Sequence, residues 1–371
     1  MDTQLLLLII FGVSLASFII EKKVLWLTYF SAVCLIVMIA LFLSAFKIIP
    51  SQHSMYDFFT GPAVPFILAC MILALDLKDF RYVPPTIILI FGVGTVATVV
   101  GGLVAAVVGS VDQGADAAKI AAQLTASYIG GGENAVAMQK ILDIAPEKFV
   151  ACFAVDNIVT SIWMVVTIVL ARNSFEGDKD RDKESERLML DGCPAKIIDF
   201  LVTIFCALAT TALANLCSNK LGFLHPLLYL SGIALLVGQI PVIKRHLRQS
   251  YMLGSLAFAP FFFSIGAISD LYAIASVPRT ILIMPFIVVI VHALIIFSAA
   301  KMLKIKRGET CLASQSLIGG AGTAVALAQA VQWRTGVSLG MILGITGYAI
   351  ANYFGVMVYH VSNSLIKLMG V

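Results

Sequence analysis

The chain has 371 residues, of which 60% are hydrophobic and only 12% are charged. Soluble domains carry about 25% charge, so this chain cannot coat itself in polar surface, and lipid is its solvent. The net charge of +4 resides in short loops between apolar runs. That distribution fits the positive-inside bias and leaves no basic, aromatic surface suited to nucleic acid.

A helix crossing about 30 Å of hydrocarbon needs about 20 apolar residues. Six segments of that kind fall in the first half, at 4–20, 24–46, 58–77, 85–108, 117–141 and 149–171. Six more fall in the second, at 197–218, 222–242, 255–274, 280–300, 311–333 and 337–360. The first follows acidic Asp2 and precedes Glu21-Lys22-Lys23. A signal peptide has a basic start and a small-residue cleavage site, so this segment reads as a retained span. Pro62, Pro65, Pro260 and Pro285 are expected to kink spans. Asp76 and Asp270 sit near span ends and read as interfacial caps, and His292, mid-span in VIVHALII, as a satisfied core histidine. The hydrophilic stretch 172–196, with the core EGDKDRDKESER, is a solvated linker. It divides a first transmembrane repeat, 1–171, from a second, 197–371. The seven cysteines are scattered without a CxxC pair, which points away from disulfides or a metal site.

The two halves echo each other. Ser127-Tyr-Ile-Gly-Gly-Gly-Glu-Asn-Ala-Val-Ala-Met aligns with Ser316-Leu-Ile-Gly-Gly-Ala-Gly-Thr-Ala-Val-Ala-Leu at an offset of 189, with seven of twelve positions identical. Both stretches lie in the fifth apolar segment of their half. Duplicated halves are a common build of secondary transporters.

Basic residues bear on the topology. If all twelve segments cross, 16 basic residues lie inside and 9 outside. If 117–141 and 311–333 dip in and return as re-entrant hairpins, 18 of 25 lie inside. The second arrangement makes two inverted repeats of five spans each. Glycine clusters at 130–132 and 319–320 favour interruption in either case, because glycine costs about 1 kcal/mol against alanine inside a helix. Broken backbone at membrane depth is tolerated only where protein or a watery cavity covers it.

Freed N–H groups at a half-helix start attract anions, and freed carbonyls suit a hard cation such as Na⁺. Candidate substrate ligands are Ser127, Gly130, Gly131, Asn134, Ser316, Gly319, Gly320 and Thr323. Thr125, Ser314 and Gln315 add polar atoms for solute or ion. Glu133 and Asp156 are carboxylates inside apolar segments, which by default mark function. With Asn157 they are candidates for ion coupling, and Glu133, Asn134 and Asp156 form a candidate Na⁺ site. The matching span of the second half carries Asn352-Tyr353 and no acid. No HExxH, GxSxG or P-loop occurs. The sequence therefore points away from an enzyme, from ATP-driven transport and from any cofactor.

The run Ser127-Tyr128-Ile129-Gly130-Gly131, followed by Asn134-Ala135-Val136-Ala137, resembles the YjcL-like family of bacterial membrane proteins of unknown function. So does the pattern of an apolar span, Glu21-Lys22-Lys23 and a second span, and the likeness covers nearly the whole chain. That family is grouped with the cation:proton antiporter and anion transporter superfamily. The resemblance implies inverted repeats, a scaffold and a mobile core domain, a homodimer and a bacterial cytoplasmic membrane. Gly319-Gly320-Ala321-Gly322 is similar to the hairpin tips of the citrate and glutamate sodium symporters. Gly130-Gly131-Gly132-Glu133 departs from that pattern at its last position. Asp156-Asn157 resembles the antiporters' acidic pair in reversed order. The leading expectation is a Na⁺- or H⁺-coupled symporter of a small anionic organic solute, with a cation:proton antiporter as the alternative. A channel or a membrane enzyme ranks below both.

Overall fold

A computed structural model describes residues 1–23, 32–172, 174, 196–222, 224–247, 249–269, 277–331 and 333–370. Asp270 and most of the linker, 173 and 175–195, lie outside the described residues. In chain order the described helices are α1 (Thr3–Lys23), α2 (Ala32–Ala45), α3 (Ser54–Thr60), α4 (Ala63–Leu73), α5 (Pro85–Gln113), α6 (Asp116–Gly130), α7 (Gly132–Leu142) and α8 (Pro146–Ala171). They continue with α9 (Ile197–Leu221), α10 (Pro226–Val237), α11 (Pro241–Lys244), α12 (Ser250–Ile268), α13 (Arg279–Met302), α14 (Arg307–Leu317), α15 (Gly320–Ala330) and α16 (Arg334–Leu368). Eight helical stretches among the described residues are long and apolar enough to cross a membrane. The chain is thus an all-α, multi-pass membrane protein.

Several expected boundaries move for local reasons. The segment expected at 58–77 splits at Gly61-Pro62, where proline lacks the N–H that a continuous helix needs. It ends at Leu73, and Asp76 then caps a short 3-10 turn, Leu77–Tyr82, by accepting from the Lys78 N–H at 2.7 Å. The segment expected at 85–108 runs on to Gln113 and stops where Gly114 takes φ 55°. The segment expected at 222–242 shortens to Pro226–Val237, and that at 337–360 lengthens to Arg334–Leu368. Pro260 and Pro285 do lie inside helices α12 and α13.

Polar contacts sort the helix ends onto two opposite faces. On one face Asp76 pairs with Lys244, Thr86 donates to Glu309 at 3.0 Å, and His246 meets Asp199 at 2.7 Å. On the other, Thr280 donates to Asp112, Gln113 donates to Thr280 at 3.2 Å, and Lys148 donates to Asp116 at 2.6 Å. Helix α5 therefore runs from the first face to the second.

The Lys148–Asp116 pair has a further consequence. Asp116 begins α6 and Lys148 begins α8, so the start of α8 comes back beside the start of α6. A methyl on Gly355 would meet Met138 Sδ at 2.7 Å and Ala122 O at 3.2 Å. On one straight helix Ala122 and Met138 would stand about 24 Å apart. Helix α7 thus lies back along α6. Helices α14 and α15 do the same: a methyl on Gly340 would meet Leu312 Cδ1 at 3.2 Å and Ala324 Cβ at 2.9 Å. This second hairpin starts on the first face, at Glu309. Helix α16 passes both hairpins and ends against the second face, where Ile366 packs on Ala117 and Ala118.

The helices separate into two packed groups. One contains α5, α6, α7, α8, α13, α14, α15 and α16, and the other α1, α2, α3, α4, α9, α10 and α12. In the first group α5 is the central strut. Its Gly101 lies against the Val288 backbone of α13, its Gly109 against Met284, and its Gly102 against Thr125 of α6. Small residues allow membrane helices this close approach. The groups meet at a few defined contacts. Phe153 stacks on Phe262 with ring centroids 5.4 Å apart, Tyr251 stacks on Tyr348 at 6.2 Å, and Tyr353 donates to the Leu228 carbonyl at 2.8 Å.

Candidate functional site at two glycine tips

Each hairpin turns at a glycine whose backbone no other residue adopts freely. Gly131 has φ 77° and separates α6 from α7, and Gly320 has φ 74° and opens α15. Asn134 closes the first tip by donating to the Gly130 carbonyl at 2.7 Å. Thr323 closes the second by donating to Gly320 O at 3.3 Å and Gln315 O at 3.4 Å.

The two tips meet at one side chain. A methyl on Gly131 would sit 2.9 Å from Tyr348 Cε1, and one on Gly320 would sit 3.1 Å from the Tyr348 hydroxyl. Tyr348 is 4% exposed and belongs to α16. The helix reaches this depth because glycines line its face. Gly344 abuts the Ala321 backbone of the second tip, and Gly347 abuts the Ile129 carbonyl of the first.

The two expected acids have different surroundings. Asp156, on α8, is buried among hydroxyls. Ser127 donates to it at 2.5 Å and Thr160 at 3.4 Å. No cation pairs with Asp156 among the described residues. Glu133 lies in the first turn of α7, with its carboxylate folded over Gly131 and its own backbone N–H. Asn157 points elsewhere, donating to Phe153 O at 2.8 Å. Glu133, Asn134 and Asp156 are therefore each held by a separate set of bonds around the first tip.

Other expected ligands turn away from the tips. Thr125 donates back to Ala121 O at 2.8 Å and faces Gly102 of α5. Ser316 donates to Leu312 O at 2.8 Å and is fully buried. Hydroxyls inside helices satisfy themselves this way when no stronger acceptor is in reach. Gln315 accepts from Thr167 of α8 at 2.9 Å, while its Nε2 and the Oδ1 of Asn134 are buried without partners.

Ser314 and His292 belong to a directional chain. Trp163 Nε1 donates to Ser314 Oγ at 3.0 Å, and Ser314 Oγ lies 2.9 Å from His292 Nε2. His292 Nδ1 lies 2.9 Å from Thr98 Oγ1, which donates to Gly94 O at 2.9 Å. With one proton on Nδ1, every donor finds an acceptor, so a neutral imidazole fits and ties α5, α8, α13 and α14 together. Replacing His292 by Leu leaves the Ser314 hydroxyl proton without an acceptor and takes a donor from Thr98, which keeps only Gly94 O. At about 1–3 kcal/mol for each unsatisfied buried group, thermal unfolding of purified protein should fall by several degrees. A variant as stable as the parent would rule out this structural role.

Tyr348, Tyr251, Phe153, Phe262 and Trp163 do not stand out in the sequence. A signal for α16 does exist: Gly336, Gly340, Gly344 and Gly347, with Ala351 and Gly355, form a small-residue stripe at helical spacing.

The fold and the paired tips define a multi-pass, all-α membrane protein with a polar, glycine-turned centre. Its sequence places it further. The chain belongs to the family described as Protein of unknown function (DUF819), whose model matches residues 7–365. It is similar to the uncharacterized membrane protein YjcL of Bacillus subtilis (strain 168), at 26% identity over 365 residues, covering 91% of each chain.

Proposed function

We propose that the protein is an ion-coupled secondary transporter of a small organic solute, working by alternating access at the two tips. The observation that carries this reading is that two broken helices starting from opposite faces meet at Tyr348. Broken helices meeting at mid-membrane offer ends for a solute and a coupling ion at once. In this reading the face bearing Lys78, Lys244 and Lys304 is cytoplasmic. The hairpins α6–α7 and α14–α15 are then re-entrant, and the halves are inverted repeats. The group containing the hairpins is the mobile core, and the other group is the scaffold, in the cytoplasmic membrane of a bacterium. Asp156, ringed by hydroxyls and lacking a fixed cation, is the seat of Na⁺ or H⁺. A buried carboxylate in that setting needs a charge partner from outside. The same feature would serve a cation:proton antiporter with no organic substrate.

Two measurements test the reading. Single cysteines at Lys119 and Lys148, in a cysteine-free background, should both react with an impermeant maleimide from outside the cell. Cysteines at Lys78 and Lys304 should react only after permeabilisation. Labelling of 119 and 148 from opposite sides would refute the re-entrant hairpin. In proteoliposomes, a Na⁺ or proton gradient should drive accumulation of an organic solute, and an ionophore should abolish it. Ion exchange at full rate with no solute present would select the antiporter instead.

A further inference from the structure

The chemistry around the two tips bears on the class of solute, given the transporter reading above. A helix start attracts anions through its free N–H groups, which is why an anionic solute is the sequence expectation. In the structure an oxygen of the chain itself lies at each of these seats. At the second tip the Tyr348 hydroxyl engages the backbone N–H of Ala321, in the first turn of α15. At the first tip the Glu133 carboxylate engages its own N–H, in the first turn of α7. Among the described residues, no lysine or arginine crowds the tip glycines. The basic residues of the hairpins lie at their far ends, as Lys119 and Lys148 do beside Asp116. A di- or tricarboxylate placed here would meet Glu133 and Asp156 with nothing to neutralise it.

What the tips do present is aromatic. Tyr348 borders Gly131, and Tyr251 stacks on Tyr348 with an interplanar angle of 29°. A methyl on Gly132 would touch Phe153 at 3.0 Å and Phe262 at 3.6 Å, and those two rings stack on each other. Glu133 Oε2 lies over Gly131, which Tyr348 borders, and Glu133 has no cationic partner among the described residues. Beside the second tip there is room: Gly322 is exposed, and a methyl there would meet nothing within 4 Å. Aromatic faces attract cations, most strongly when water is excluded, and bind alkylated ammonium groups that need few hydrogen bonds.

We infer that the solute is a small organic cation, an alkylammonium, seated beside Tyr348 with Glu133 as its counter-charge. Asp156, separately solvated by Ser127 and Thr160, is left for the coupling ion. The division of labour explains why the first tip carries an acid where the second has Gly322.

The test uses the full chain in lipid nanodiscs, with choline and tetramethylammonium as cationic probes and succinate as the anionic one. Either cationic probe should raise the unfolding temperature in a saturable way, because a ligand that binds only the folded state stabilises it. Succinate should have no effect. Glu133→Gln should weaken the cationic probe at least tenfold, and Glu133→Asp, which keeps the charge, should recover part of the loss. If Glu133→Gln does not fold, Tyr348→Leu serves as the second variant, with the same expected direction. Stabilisation by succinate alone, by no probe, or by choline equally in parent and variants would overturn the assignment. Uptake of labelled probe into proteoliposomes separates this from the transport reading. Choline binding without gradient-driven uptake tells against transport and leaves the cation seat standing, whereas driven succinate uptake does the reverse.

Discussion

Replacing Asp156 by Asn is expected to abolish ion-driven accumulation while leaving the protein folded. The substitution keeps the size of the side chain and one carbonyl oxygen, so Ser127, which donates to Asp156 at 2.5 Å, retains an acceptor. What is lost is the charge. Bonds to a charged acceptor are short and about twice as strong as neutral ones. Two hydroxyl donors on one carboxylate, with no fixed cation beside it among the described residues, leave room for an outside cation or proton. Removing one member of a buried charge pair costs about 3–5 kcal/mol, which corresponds to at least about 100-fold in ion affinity. Gradient-driven uptake in proteoliposomes should therefore fall to background at ion concentrations that saturate the parent. The unfolding temperature should hold or rise, since a buried charge without a partner has been removed. Ser127→Ala should show a weaker form of the same defect. Uptake in Asp156→Asn that keeps the parent's ion dependence would place the coupling ion elsewhere.

The sequence carries the features that depend on composition and spacing. The polar-poor composition identifies a membrane protein, and the repeated Ser-x-Ile-Gly-Gly run marks both tips. Gly131 and Gly320, with φ 77° and 74°, take the backbone that such clusters lead one to expect. Asp156 is buried as a carboxylate in an apolar run is expected to be, while Glu133 is half-buried. The sequence is silent where an outcome depends on which helices pack together. Thr125 and Ser316 looked like ligands because they flank the glycines, yet helical rotation turns Thr125 onto Gly102 and Ser316 onto its own backbone. Tyr348 was invisible because nothing local distinguishes a tyrosine in GITGYAIAN from an interfacial one. Its place comes from α16 crossing both hairpins, a contact between segments far apart in the chain. The occupants of the helix starts are hidden from the sequence for a related reason. Free helix ends can be inferred from glycine spacing, but the oxygens that occupy them come from Tyr348 on another helix and from a back-folded Glu133.

Glycine-to-alanine substitutions at Gly322 of the second tip and at Gly347 of α16 should then have opposite outcomes. By motif, Gly322 in Gly-Gly-Ala-Gly is the position to protect. By structure it faces open space, and a methyl there meets nothing within 4 Å. Alanine at 322, inside α15, should leave stability unchanged or raise it by up to about 1 kcal/mol, the difference in helix propensity. Gly347, outside the repeated motif, is the sensitive one. A methyl on it would collide with the Ile129 carbonyl oxygen and lie 3.1 Å from the Ile129 carbonyl carbon. These are backbone atoms of the first tip, which no rotamer change can move aside. Overpacking of this kind costs about 1–3 kcal/mol, occasionally more. Relief requires α16 to retreat from the tip, carrying Tyr348 off Gly131 and Gly320 together. Gly347→Ala should thus lower the unfolding temperature and abolish driven uptake in the same variant, with Gly344→Ala doing the same through Ala321. The comparison with Gly322→Ala separates close helix approach from loss of glycine in general. If 322 proves the fragile position and 347 the tolerant one, then α16 is not the helix that holds the two tips in register.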